Sequence, residues 1–176
     1  MSLNLVYDRT EDDVTSSAAI RSTYQALGNW SGLTTAERAQ LERGTLTYNT
    51  LNRVESAVKL LAAALTSAGY PVAVTPVLKG SKAEDREWQE GDIVRRAQWA
   101  IYLDNVQRLR DAYYTLAETG QLPKPEDKLG YVGANNIEKV LADIDLLIDC
   151  MKSSYRRCGT FRAGNNAAHL PLKGSI

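Results

Sequence analysis

The chain has 176 residues, 44% of them hydrophobic and 24% charged, and its Lys plus Arg count equals its Asp plus Glu count. That balance excludes a chain disordered throughout and suits one globular domain or two small ones. Zero formal net charge argues against a dedicated nucleic-acid binder, which carries a basic excess.

No apolar run approaches the ~18–20 residues that span a bilayer, so no membrane insertion is expected. The opening "MSLNLVYDRTEDD" lacks the basic and apolar regions of a signal peptide, and synthesis in the cytoplasm without one is the expectation.

The first helix signal is Thr10 followed by "EDD", an N-cap with acids at the positive end of the helix dipole. Val14, Ala18, Ile20, Tyr24 and Leu27 give it a loose apolar stripe, and Gly28 ends it. Thr34 and Glu37 have capping-box spacing and open a short helix over about 35–43, with Leu33 placed to staple it. "LTYNTLNRVE" (46–55) then leads into a helix whose seam is Leu51, Val54, Val58, Leu61 and Leu65. Gly69 and Pro71 stop it.

"YPVAVTPVLKG" reads as an extended arm or edge strand over 72–78, because it combines β-branched residues with prolines. A polar linker follows to Asp92, the expected N-cap of a long helix over about Ile93–Ala117. Trp99, Tyr102, Leu103, Val106, Leu109, Tyr113 and Leu116 fall on one side of that helix. "TGQLPKPEDK" is a loop by composition. "LGYVGANNIE" (129–138) opens the last helix, with its seam at Ala134, Ile137, Leu141, Ile144, Ile148 and Met151. Residues 154–176 read as an irregular basic tail containing one short strand near 160–162.

The two quoted motifs share Leu-x-Tyr-x-x-x-Asn-x-[Val/Ile]-Glu, and adding 83 to the first seam gives the second. The pattern implies two diverged halves, each a helix followed by a motif-led helix. The predicted fold is all-α: four long helices from two duplicated pairs in one bundle, with a short helix, the arm and the tail. In domain terms this gives a first repeat over 8–71, arm and linker over 72–92, a second repeat over 93–153 and the tail over 154–176, together forming one domain.

Tyr48 and Tyr131 are expected at the helix starts. Asn52, Glu55, Asn135 and Glu138 are placed to bond loop backbone of the other half. A competing reading pairs Glu55 with Glu138 for metal or acid–base work. Di-metal bundles use Glu-x-x-His, however, and Val58 and Leu141 stand three residues on. The structural reading is taken, with no cofactor, metal, catalytic residue or small-molecule substrate expected. Cys150 and Cys158 lie eight apart and His169 is the sole histidine, so both thiols are read as free. A disulfide between them would require the helix near Cys150 to break. No P-loop, GxGxxG, HExxH or GxSxG is present.

Trp30 and Trp88 fall in loop regions and are candidate interface residues. Tyr155, Arg156, Arg157, Phe161 and Arg162 make an aromatic-basic stretch suited to an acidic partner, or to nucleic acid as the alternative reading.

In order, "YDRTEDDV", "LTYNTLNRVESAVKLL", "GYPV", "QWAIYLDNVQRLR", "LGYVGANNIEKVL" and "CGTFRAGN" resemble a family of uncharacterised helical proteins. These are encoded in the tail or tail-fibre gene region of phages and prophages of Gram-positive gut bacteria. The resemblance spans roughly residues 7–165. It implies a non-enzymatic structural or adhesion-related virion component, made in the bacterial cytoplasm. The expected partners are other copies of the chain in a homo-oligomer and other tail proteins.

Overall fold

The computed structural model describes residues 3–158, with no side chains for 155–158. Its described part is helical: α1 (Glu11–Leu27), a 3-10 turn (Trp30–Gly32), α2 (Thr35–Gly44), α3 (Tyr48–Ser67), α4 (Arg96–Asp111) and α5 (Tyr131–Cys158). Among the described residues there is no strand, and one isolated antiparallel bridge joins Lys79 to Glu84. None of these helices is long and apolar enough to cross a membrane.

Local chemistry sets the starts and stops. The Thr10 hydroxyl accepts from the Asp13 N–H while Asp13 accepts from the Thr10 N–H, a closed capping box. Thr34 and Glu37 repeat the device at α2. Gly28 ends α1 in the left-handed region at φ +70°, where a Cβ would be strained. The Thr47 side chain caps α3 by accepting from the Thr50 N–H.

The core lies where α3, α4 and α5 meet. Leu51, Val54, Val58, Leu61 and Leu65 of α3 face Ile137, Leu141, Ile144 and Ile148 of α5 and Trp99, Tyr102, Leu103, Val106 and Leu109 of α4. Leu61, Leu65, Leu109 and Leu141 are fully buried, each contributing roughly 1.5–3 kcal/mol. α3 and α5 run side by side and parallel. Their first turns share one cleft, through Thr50, Tyr131 and Ala134, and the end of α3 shares another with α5 about two turns before its own end, through Ala64, Ala68, Ile148 and Lys152.

Several expectations are corrected. α1 is not a core helix: it packs on α2, and its one buried residue is Ser17. Its stripe is too loose to seat, with Val14 and Leu27 exposed. Small and polar residues make the contact instead, with Arg43 paired to Asp13 across it. A Cβ placed on Gly44 would lie 2.2 Å from Ser17 Oγ and 2.3 Å from the Asp13 carbonyl.

α4 is shorter than expected and starts later. Asp92 does not cap it, because Arg86 Nη1 and Nη2 donate to Asp92 at 2.7 and 2.8 Å. Gln98 instead reaches back to accept from the Arg95 N–H at 2.7 Å. Tyr113 lies beyond the helix, edge-on to Tyr70 with centroids 4.7 Å apart. Residues 72–78 form no strand. α5 continues through residues 154–158, which were expected to be tail. Eight residues of helix separate Cys150 from Cys158 by about 12 Å, beyond disulfide reach. The expected strand at 160–162 and His169 lie outside the described residues.

Replacing Gly44 tests the α1–α2 contact. Helix propensity alone favours Ala over Gly by roughly 1 kcal/mol. The overlap with Ser17 and the Asp13 carbonyl reverses the sign, and Gly44→Ala is expected to lower stability by about 1–3 kcal/mol in urea unfolding.

Candidate functional site

The motif residues sit on the parallel helices α3 and α5 and face the irregular segments of the chain. Asn135, on the first turns of α5, accepts from the Arg9 N–H at 3.0 Å and donates to the Arg9 carbonyl at 2.8 Å. Asn52 of α3 does the same to Trp88: its Oδ1 accepts from the Trp88 N–H at 2.7 Å and its Nδ2 donates to the Trp88 carbonyl at 2.9 Å. Each side-chain amide thus satisfies both backbone groups of one residue, as a neighbouring strand would.

The glutamate one turn on completes each clamp. Glu138 accepts from the Val6 N–H at 2.6 Å, from Arg9 Nη2 at 2.5 Å and from Arg53 Nη2 at 2.9 Å. The Arg9 and Glu138 side chains are only 3% and 1% exposed. Glu55 accepts from the Trp88 indole N–H and from Lys79 Nζ, each at 2.7 Å. Lys79 is itself buried, its ammonium 5.5 Å from the centre of the Trp88 ring. α5 therefore holds residues 6–9, which lead into α1, and α3 holds residues 79–88, which precede α4.

A buried carboxylate or ammonium is costly unless it is paired and hydrogen-bonded. Here the partners are present on both sides. Tyr102 of α4 is near both carboxylates: burial pushes its phenol well above the usual range, and Glu138 and then Glu55 push it further the same way. Among the described residues no group of three or more His, Cys, Asp and Glu side chains is placed to hold a metal. The oxygens of both glutamates are engaged by protein donors.

A third asparagine was missed by sequence reasoning. Asn105 of α4 accepts from the Thr75 N–H and donates to the Thr75 carbonyl, both at 2.8 Å. It holds residues 72–78 against the bundle. The available signal was a buried amide within the apolar stripe of α4, between Tyr102 and Val106.

The remaining candidate residues are dispersed. Trp88, expected at an interface, is a core residue instead, because Asn52 and Glu55 draw its segment inward. Trp30 is half-buried, edge-on to Tyr24 and Tyr48 with centroids 6.2 and 5.7 Å away. Glu90 accepts from the Trp30 N–H and the Tyr24 hydroxyl, tying α1 and the 3-10 turn to the segment before α4. Tyr131 lines the cleft of about 120 Å³ at the first turns of α3 and α5. Tyr155, Arg156 and Arg157 lie on α5 where side chains are not described, and Phe161 and Arg162 lie outside the described residues.

No family model matches the chain, and no curated protein and no solved structure matches it.

Two predictions test the site. Glu138→Ala leaves the Arg9 guanidinium buried without its carboxylate and is expected to cost about 3–5 kcal/mol in urea unfolding. In the cycle of Arg9→Met and Glu138→Leu, the double variant is expected to recover the part of the Glu138→Leu loss that comes from the unpaired Arg9, while the Val6 N–H and Arg53 stay without their acceptor, giving a measurable coupling.

The second prediction concerns acid. Arg86, and to a lesser degree the Gln89 N–H, hold the Asp92 carboxyl at about 2, against an ordinary 3.8. A depressed folded value means the pairing stabilises fully above about pH 4 and fades as pH falls through about 2. A carboxyl-carbon NMR titration is expected to give Asp92 a midpoint near 2, and Arg86→Ala to return it toward 3.8.

Proposed function

We propose that the chain is a non-enzymatic structural or protein-interaction module, built from two diverged copies of a helix pair. Its role in this reading is that of a tail-associated virion component of a phage or prophage, acting as a homo-oligomer alongside other tail proteins.

The observation that carries the reading is the use of the repeated Asn and Glu. Asn52 and Asn135 make the same pair of backbone contacts, and Glu55 and Glu138 each accept from a buried cation of the clamped segment, so each set holds the segment that leads toward another helix. Residues set to tether the chain's own backbone suit a scaffold. A catalytic carboxylate would need an oxygen facing a substrate, whereas these face arginine, lysine, an indole and a backbone amide.

Duplication is further supported by the parallel pairing of α3 with α5. Thr50 and Ala134 share one cleft, and Ala64 and Ala68 meet Ile148 and Lys152 in the other, an offset close to the 83 residues between the motifs. The halves have since diverged in packing, as α4 lies in the core and α1 does not. The virion assignment rests on the ordered sequence resemblance.

Light scattering of the purified chain at tens of micromolar is expected to give a multiple of the 19.4 kDa protomer mass. Protomer mass across that range would count against the oligomer. Mass spectrometry of particles purified from the producing strain is expected to find the chain in the particle fraction. Recovery only from the cell lysate would overturn the virion role.

A further inference from the structure

α5 outruns its parallel neighbour. Ala68 caps the end of α3 beside Lys152, while α5 continues to Cys158. The α5 seam therefore reaches Ile148 and Met151 just where α3 stops covering it. The result is a cleft of about 340 Å³, lined by Ala64, Ser67 and Ala68 on one side and Ile148, Met151 and Lys152 on the other. Its walls are small on α3 and, Lys152 apart, apolar on α5. The Ser67 hydroxyl is already donated to the Ala63 carbonyl, so the cleft asks for apolar side chains more than for hydrogen bonds.

We propose that this cleft is a docking site for the chain's own C-terminal segment, and that Leu170, Pro171 and Leu172 occupy it. Three observations favour that occupant. The first is reach. Lys152 to Cys158 is about 9 Å of helix, and the twelve residues from Cys158 to Leu170 extend up to about 40 Å, so the triplet returns to the cleft with slack.

The second is chemistry. Residues 159–176 carry two leucines flanking a proline, apolar side chains on a backbone whose φ is restricted at Pro171. The third is concentration. A tether this short holds the segment at an effective concentration of about a millimolar, well above that of a second copy in micromolar solution. The proposal does not depend on the virion role.

The test is methyl NMR on the full chain. Nuclear Overhauser contacts are expected from the Leu170 and Leu172 methyls to those of Ala64 and Ala68. Substituting both leucines, Leu170→Ser with Leu172→Ser, is expected to shift the Ile148, Met151, Ala64 and Ala68 methyl signals. The Leu41 methyls, on α2 and away from the cleft, are expected to stay in place. The helices and their core are built from residues up to Cys158, so they remain formed in the variant. Absence of both the contacts and the shifts overturns the proposal. Contacts that disappear as the wild-type chain is diluted also overturn it, because a second copy would then be the occupant.

Discussion

An irregular segment packed on a helical core must find partners for its backbone N–H and C=O groups, or leave them buried and unsatisfied at a cost of about 1–3 kcal/mol each. Three asparagines meet that constraint here. Asn135, Asn52 and Asn105 each close both backbone groups of a single residue, Arg9, Trp88 and Thr75 respectively. A side-chain amide is the right tool because it presents one acceptor and one donor side by side. Glutamate and glutamine are longer by a methylene, and aspartate lacks the donor.

The rest of the fold depends on these contacts. α1 and α2 lean on each other, and the segment before them is tied to the three-helix core through Asn135 and Glu138. Trp88 and Lys79 enter the interior only because Asn52 and Glu55 fix the segment that bears them. Charge follows backbone in both cases. Once Asn135 places the Arg9 backbone and the pairing with Glu84 places that of Lys79, a carboxylate is needed to offset each buried cation, and Glu138 and Glu55 supply it. The pairing is mutual, which is why such clamps fix one arrangement of chain more than they add net stability.

Much of this was legible from sequence where the determinants are local. The capping boxes at Thr10 and Thr34 and the seams of α3 and α5 each depend on residues within a turn or two, and they stand where the spacing puts them. What was not legible depends on distant partners. The burial of Trp88 is set by Asn52, 36 residues away, and no loop composition announces it. The end of α4 is another case. The apolar period runs on through Tyr113 and Leu116, but the helix stops at Asp111, where the Thr115 hydroxyl donates to the Arg110 carbonyl and the Arg110 side chain donates to the Gly120 carbonyl. The place of α1 was hidden for a different reason: its contact with α2 is made by Ser17 against Gly44 and by Arg43 and Gln40 on Asp13, which a search for apolar stripes passes over.

The central claim is that asparagine and glutamate side chains hold two irregular segments as firmly as helix holds its own backbone. Native-state amide hydrogen exchange at Arg9 and Trp88 tests it most directly. Neither N–H belongs to a helix or strand, and each donates only to an asparagine side chain among the described contacts. The account predicts protection at both amides comparable to that of Leu61 and Leu141 in the core. Exchange at the rate of an unstructured chain at either position would contradict it.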